Sequence, residues 1–442
     1  MDTLTIYPAK LTGEVTIPPS KSISHRAIIS AALAQGESVI ENLVLSEDIK
    51  ATLEGIKSFG ADIKYLDSGT PGRACSVRIK GNPGSGAEKR SIDCGESGST
   101  LRFLIPLACL GRGKNAPRQT MFTGRGKLVE RPLDEYFKIF ERQKIEYHST
   151  GGGLPLTVKG DLRPGTFRVR GDVSSQFITG LMFVLPLLEK DSKIEITTGL
   201  QSKGYVELTL DVLEKFGIRI LNKNFREFII KGNQKYKGTR CRVEGDYSQA
   251  AFWITAGILG GGIKCKGLNL GSVQGDRAIL DIISEMKAAF HAGRTDDGPQ
   301  GGGGFIKVLP SDTCGTTIDA SQCPDLVPVA AVLGALSSGI TRIVNAGRLR
   351  IKESDRLRAV SEGLNRLGAD VTELEDGLVI RGKESLRGGR VDSWNDHRIA
   401  MALAVASVKC AGPVVLTGSD AVNKSYPHFW SDFTGLGGKT GR

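Results

Sequence analysis

Short extended segments rich in Val, Ile and Thr alternate along the chain with longer Ala/Leu/Ile-rich runs whose apolar positions recur at helical spacing. The alternation is periodic. Six times a strand-like stretch passes through a small polar residue into an apolar helical run, reading VTIPPSKSISHRAIISAALA, IDCGESGSTLRFLIPLACL, FRVRGDVSSQFITGLMFVLPLL, CRVEGDYSQAAFWITAGIL, IDASQCPDLVPVAAVLGAL and VDSWNDHRIAMALAVASV. With Lys21, Gly98, Ser174, Asp246, Asp325 and Asp396 as equivalent points, successive copies stand between 71 residues (325 to 396) and 79 residues (246 to 325) apart, which marks an internal repeat. Most copies add a second helical pattern that stops at Gly and enters another strand, as in DIKATLEGIKSFGADI, VELTLDVLEKFGIRI and DRLRAVSEGLNRLGADV. Two helices and a few strands enclose too little core to stand alone, so the expectation is an α/β protein of two domains, each packing three copies.

The first domain is expected over residues 21–243 and the second over 1–20 joined to 244–442, with crossings near 19–21 and 243–246. Thr3 to Ile6 reads as a strand that completes a sheet of the second domain. The first charged residues are followed by no apolar segment, and no stretch reaches the run of about 18 apolar residues that a membrane span needs. A cytoplasmic protein without a membrane partner is expected. The eight cysteines, at 75, 94, 109, 241, 265, 314, 323 and 410, form no CxxC pair and read as small buried thiols in a reducing compartment. A net charge of +11 suits nucleic acid, an anionic membrane or small polyanions. The cations are not gathered into a tail, and aromatics at 6% leave few stacking platforms, so nucleic acid is not the expected partner.

The helix starts carry the chemistry. Ser20-Lys21-Ser22-Ile23-Ser24-His25-Arg26 sets hydroxyls, a Lys and an Arg around a helix N-terminus, where free N–H groups and the helix dipole favour an anion. Simple capping by Ser20 or Ser22 is the plainer reading of this segment alone, and His25 either touches a ligand or structures the helix start. The equivalent positions hold GESGSTLR, GDVSSQ, GDYSQ, CPDLVP and NDHR, more polar side chains than caps require. Turned toward a common cleft, Ser174, Ser175 and Gln176 would give neutral hydrogen bonds, and Arg102, Arg131 and Arg398 could fork onto carboxylate or phosphate oxygens. In Arg348-Leu349-Arg350-Ile351-Lys352-Glu353-Ser354-Asp355-Arg356 the cations at 348, 350 and 352 alternate as on one face of a strand that needs an anionic partner, or of a solvated charged edge. Gly301 to Gly304 reads as a surface loop without the Lys and hydroxyl of a phosphate-binding loop, and His148, His291 and His428 lack metal-ligand spacing.

In one order the chain carries PSKSISHRA, GESGSTLRF, ERPL, GDVSSQF, SKGY, PDLVP, RIKESDRL, NDHRIAM and NKSYP, and by these motifs it resembles the EPSP synthases of the enolpyruvyl transferase family over essentially its whole length. The resemblance implies two domains, each of three βαβαββ units in an inside-out α/β barrel, with the active site in the interdomain cleft. It implies carboxyvinyl transfer from phosphoenolpyruvate to the 5-hydroxyl of shikimate 3-phosphate, no cofactor, no metal, and a monomer. It places Lys21, Ser22 and Arg26 on the acceptor and its phosphate, with Lys21 also reaching phosphoenolpyruvate. Gly98, Arg131, Arg356, Arg398 and Lys424 match the phosphoenolpyruvate contacts, and Ser174, Ser175, Gln176, Ser202, Tyr205 and Lys352 the shikimate 3-phosphate side, with Gln176 touching both. Asp325 is implied as base and Glu353 as proton donor, with Lys21 and His397 assisting. Binding of two anionic substrates is expected to close the domains, with the crossings as hinges. Glu96 departs from the Asn of many relatives and would repel phosphoenolpyruvate unless it turns away; Arg348 replaces an Asn, and Ser99 a Thr. The alternatives are the UDP-N-acetylglucosamine enolpyruvyl transferase, which typically has a reactive Cys where Gly111 to Arg131 has none, and a non-catalytic anion- or RNA-binding module, which leaves Asp325 and Glu353 unexplained.

Overall fold

A computed structural model describes residues 2–66, 74–81, 89–111, 119–294 and 303–441. Gly301 and Gly302 of the glycine run, and residues 112–118 of the Gly111 to Arg131 segment, lie outside the described residues. The chain divides into two compact units, Lys21–Val243 and Met1–Ser20 with Glu244–Arg442.

The contiguous unit holds helices α1 (Lys21–Leu33), α2 (Glu47–Ser58), α3 (Gly98–Ala108), α4 (Asp134–Gln143), α5 (Ser175–Val184) and α6 (Lys203–Lys215). The discontinuous unit holds α7 (Tyr247–Leu259), α8 (Ile279–Glu285), α9 (Val327–Ala335), α10 (Arg356–Arg366), α11 (His397–Ala406) and α12 (Phe429–Gly435). Caps explain several starts. Ser46 Oγ accepts from Ile49 N above α2, whose first turn carries Glu47 and Asp48, and Asp246 Oδ1 accepts from Ser248 N at 2.9 Å and Gln249 N at 3.2 Å above α7. Helices α7, α9 and α11 are buried on every face and pack against one another, which accounts for runs such as VPVAAVLGA that lack an apolar stripe.

Among the described residues six four-stranded sheets repeat one order, in which a lead strand pairs parallel with a second strand and two antiparallel strands follow. In Thr166–Val169, Ser192–Ile196, Glu227–Ile230 and Ile220–Lys223 all four come from one stretch of chain. The first and fourth repeats differ. The strand ahead of α1, Gly13–Thr16, lies parallel to Ile263–Leu268, the strand after α7, and the strand ahead of α7, Arg240–Arg242, lies parallel to Gly36–Leu43, the strand after α1. The two repeats have exchanged lead strands, each of which stays in its own unit as the chain passes on to the other. Thr3–Tyr7 runs antiparallel to Val414–Thr417 and Lys439–Gly441 and so completes a sheet of the discontinuous unit, as the sequence reading has it.

The core of the discontinuous unit centres on Trp253, fully buried, whose ring stacks on Phe429 at 4.9 Å between centroids. Its Nε1 donates to Tyr426 Oη at 3.0 Å, and that hydroxyl donates to Asp432 at 2.6 Å. Truncation would leave a cavity and strand this polar chain. We expect Trp253→Ala to lower unfolding stability by about 3–5 kcal/mol, read as a fall in the urea midpoint; a midpoint within error of the parent would refute it.

Candidate active site

In the discontinuous unit the site grows from three helix starts. Arg356 opens α10, fully buried, and its guanidinium faces three carboxylates. Its Nε donates to Asp396 Oδ2 at 2.8 Å, Nη1 to Asp325 Oδ1 at 2.9 Å and Nη2 to Glu353 Oε2 at 2.7 Å. Burial opposes its charge, but Asp396, Glu353 and Asp325 more than offset this and hold it protonated above the ordinary arginine value. Arg398, second in α11, donates through Nη2 to Asp325 Oδ2 at 2.9 Å and to Ser248 Oγ at 3.1 Å on α7. Lys352 Nζ stands 3.9 Å from Asp325 Oδ1. The cluster therefore sets three cations, Lys352, Arg356 and Arg398, against three carboxylates, Asp325, Glu353 and Asp396. Burial pushes the Asp325 carboxyl up, yet Arg398, Lys352 and Arg356 together hold it well below the usual carboxylate range.

Asp396 organises this cluster. It is fully buried, its Oδ1 caps α11 by accepting from Arg398 N at 2.9 Å, and its Oδ2 accepts from Ser354 Oγ at 3.1 Å. Two consecutive left-handed residues, Trp394 (φ 54°) and Asn395 (φ 52°), turn the chain into it, a strained backbone of the kind that persists where surrounding bonds fix it. Lys424 Nζ donates to Asn395 O at 2.5 Å and braces that turn. His397 is buried, with Nδ1 4.0 Å from Asp396 Oδ1, too far for a direct hydrogen bond.

The alternating cations at 348, 350 and 352 do not lie on a strand. Gly347–Ile351 is a 3₁₀ turn, whose three residues per turn spread these side chains around the axis. Arg350 is taken up by Asp355 (2.9 Å), Glu373 (2.7 Å) and the carbonyls of Leu374 and Glu375, whereas Arg348 donates to Ser321 O at 2.8 Å. Of the three, Lys352 joins the carboxylate cluster.

The contiguous unit presents a second set. Lys21 Nζ, at the start of α1, is 2.6 Å from Asp48 Oδ2 on α2. Ser174 caps α5 by accepting from Gln176 N at 3.3 Å, and Ser175 is buried beside it. The Gln176 amide is clamped at both ends, since Oε1 accepts from Arg102 Nη1 at 2.8 Å and Nε2 donates to Ser99 Oγ at 2.9 Å. Arg102 also donates to Pro132 O at 3.0 Å and lies 5.0 Å from the Phe177 ring, so it orients Gln176 and the segment after Arg131. At Gly98 a Cβ would stand 2.5 Å from Arg131 Nη1, so only glycine lets that guanidinium come so close. Arg26 is buried and donates to Thr209 Oγ1 (2.8 Å), Ser22 O (2.7 Å) and Tyr205 O (3.0 Å), fixing the backbone at two residues of the expected acceptor set. Burial lowers the Arg26 guanidinium to about 9, still protonated at neutral pH. Ser202 adopts the left-handed conformation (φ 56°, ψ 47°) just ahead of α6. The Glu96 carboxylate turns onto Gly126, where a Cβ would meet Oε2 at 2.6 Å.

Asp396, Asp48 and Ser248 are site residues that the sequence reading did not single out for a role. Asp396 and Ser248 belong to helix starts already flagged as polar, which was the available signal, whereas Asp48 lies in the first turn of α2, a segment read only for its helical spacing and glycine stop. His25 belongs to the packing, with Nδ1 2.7 Å from Thr52 Oγ1 and the ring fully buried. All eight cysteines are free thiols, and burial holds Cys109 above the ordinary thiol range, so it has no nucleophilic character. Among the described residues no group of three His, Cys, Asp or Glu is placed to hold a metal ion, and no helix is long and apolar enough to cross a membrane.

A family model described as EPSP synthase (3-phosphoshikimate 1-carboxyvinyltransferase) matches residues 6–433. The chain is 55% identical over 440 residues, 99% of this chain and 98% of the relative, to a Clostridium novyi protein named 3-phosphoshikimate 1-carboxyvinyltransferase. A Clostridium kluyveri protein of the same name is 54% identical over 440 residues, with the same coverage. A solved EPSP synthase from Acinetobacter baumannii shares the fold, with a TM-score of 0.80, 24% identity and full coverage of both chains.

Removing one charge from a buried ion cluster leaves its partners uncompensated. Asp396→Asn keeps an oxygen for the cap but deletes the charge facing Arg356, and a loss of about 3–5 kcal/mol in unfolding free energy is expected. Urea denaturation checks this, and an unchanged midpoint would show that Asp396 does not hold the cluster.

Proposed function

Because the chain belongs to the EPSP synthase family, we infer that it transfers the carboxyvinyl group of phosphoenolpyruvate to the 5-hydroxyl of shikimate 3-phosphate, releasing phosphate on the route to chorismate and aromatic amino acids. The observation that carries the assignment of roles is Asp325, ionised and held among Arg398, Lys352 and Arg356 with Glu353 on the same guanidinium.

At rest Asp325 is a weak base, because its cations stabilise the ionised form. Phosphoenolpyruvate brings a carboxylate and a phosphate that compete for Arg356, Arg398, Arg131 and Lys424. As the arginines turn to the ligand, Asp325 loses counter-charge and becomes basic enough to accept the proton of the 5-hydroxyl. Glu353, released from Arg356, takes up a proton from solvent and delivers it to the methylene carbon, and the adjacent carbon becomes the electrophile that the acceptor oxygen attacks. Phosphate then leaves from the tetrahedral intermediate, the methyl carbon returns a proton, and the vinyl group is restored. Lys21 and His397 assist these proton movements, and the cations stabilise charge developing on the departing phosphate. The acceptor is bound by Lys21, Ser22, Arg26, Ser174, Ser175, Gln176, Ser202, Tyr205 and Lys352.

These residues are drawn from both units, so the reading requires ligand binding to bring the two sets onto one substrate pair, with the chain crossings at 19–21 and 243–246 as hinges. The protein acts as a monomer in the cytoplasm, a setting that free, mostly buried thiols suit.

Phosphate release on mixing the protein with phosphoenolpyruvate and shikimate 3-phosphate tests the assignment, with UDP-N-acetylglucosamine as the competing acceptor. Release is expected with shikimate 3-phosphate alone and should fall at least about a hundredfold in Glu353→Gln, at the low end of what a general acid contributes. Release with only the nucleotide sugar would move the chain to that reaction, and release with neither would revive the binding-module reading. Small-angle scattering should show compaction when both ligands are present; unchanged dimensions would remove the hinge. Burial lowers the Lys352 ammonium to about 8 despite Asp325 beside it. Because the protonated form binds the anionic acceptor, kcat/KM for shikimate 3-phosphate should decline as pH rises through about 8, and this alkaline limb should move to higher pH in Lys352→Arg. A limb that stays in place would assign it to another group.

A further inference from the structure

We propose that a buried chain of hydrogen bonds, His25 to Thr52 to Thr100 to Ser97, is a positioning device that holds Lys21 and the Gly98 turn in one fixed relation. The inference rests on the reading of Lys21 and Gly98 as residues that meet phosphoenolpyruvate.

The chain joins the starts of α1, α2 and α3. His25 Nδ1 is 2.7 Å from Thr52 Oγ1, which is 2.6 Å from Thr100 Oγ1, which donates to Ser97 Oγ at 2.8 Å. Ser97 caps α3 immediately before Gly98, its Oγ accepting from Thr100 N at 3.2 Å. Both threonine hydroxyls also approach Asp48 O, at 3.3 Å from Thr52 and 3.4 Å from Thr100. The carboxylate of the same Asp48 grips Lys21 Nζ at 2.6 Å. Asp48 is thus the junction, its backbone tied to the Gly98 turn and its side chain to the lysine.

A consistent proton order runs from imidazole N–H through the two hydroxyls to the cap, with the single hydrogen of each threonine hydroxyl shared between the next oxygen of the chain and Asp48 O. Burial, with Lys21 and Arg26 near by, holds the imidazole well below its ordinary value, so the chain is neutral. Thr52 and Thr100 are fully buried, and valine, of the same shape, would be buried there without a polar group to desolvate. What hydroxyls add over methyl groups is direction. Hydrogen bonds of 2.6–2.8 Å admit little slip between helices, whereas apolar contacts tolerate it. Thr52 and Thr100 touch neither substrate on the present reading; they act through Asp48 and Ser97.

The test compares Thr52→Val and Thr100→Val with Thr52→Ser and Thr100→Ser in the full-length protein, assayed well below the melting temperature of every variant. The valine variants should lose about tenfold or more in kcat/KM for phosphoenolpyruvate, since an ångström of misplacement costs about a hundredfold. The serine variants should stay within about twofold, and the Thr52→Val/Thr100→Val double variant should lose no more than the worse single, as one connected device requires. Valine variants that melt earlier but keep parental kcat/KM, serine variants as impaired as valine, or an additive double variant would each overturn the proposal. Should either valine variant not fold, Thr100→Ala against Thr100→Ser gives the same contrast. A parent protein that releases no phosphate from the substrate pair would instead overturn the reading beneath it.

Discussion

One guanidinium shared by three carboxylates constrains the rest of the discontinuous unit. Arg356 can be buried only because Asp396, Asp325 and Glu353 surround it, and each of those acids is acceptable there only because Arg356 and its neighbours Arg398 and Lys352 answer it. The three acids come from the starts of α9, α10 and α11, so the cluster fixes where three central helices begin. It also leaves the site charge-balanced but easily disturbed. An anionic ligand that takes an arginine releases an acid, which couples substrate arrival to the appearance of acid–base chemistry.

The contiguous unit solves its version of the problem with fewer ions. Its helix starts are joined by amide, hydroxyl and imidazole contacts, with Lys21 and Asp48 as a partly buried ion pair and Arg102 clamping Gln176. Gly98 contributes by lacking a side chain, which admits Arg131. Neutral bonds give geometry without consuming cations that an anionic substrate would need.

Much of this was legible in the sequence because the repeat is local. Helix starts and the polar residues beside them recur at one place in every copy, and most of the residues expected in the site lie at or beside helix starts, whereas Arg131 follows a 3₁₀ turn and Lys424 ends one. What was not legible depends on distant pairing. Arg356 and Asp396 are 40 residues apart and Lys21 and Asp48 are 27, so no local pattern announces either bond. Nothing in VTIP or CRVEG states that these lead strands trade partners. Alternation at 348, 350 and 352 was misleading because five residues are too few to separate a strand from a 3₁₀ turn, and Glu373 and Asp355, which decide the matter for Arg350, act from the strand Asp370–Leu374 and from the cap of α10.

The exchange of lead strands has a consequence for how the molecule comes into being on the ribosome. Thr3–Tyr7 and Gly13–Thr16 emerge well before their partners, Ile263–Leu268 for the second and Val414–Thr417 and Lys439–Gly441 for the first. Residues 21–243 contain all the strands of their own sheets and can assemble while translation continues. At about 5–20 residues per second, Gly13–Thr16 then waits roughly 10–50 s for Ile263–Leu268 and Thr3–Tyr7 roughly 20–80 s for Val414–Thr417. Their alternation of exposed polar residues, Glu14 and Thr16 beside buried Val15, suits a segment that must remain soluble through that interval.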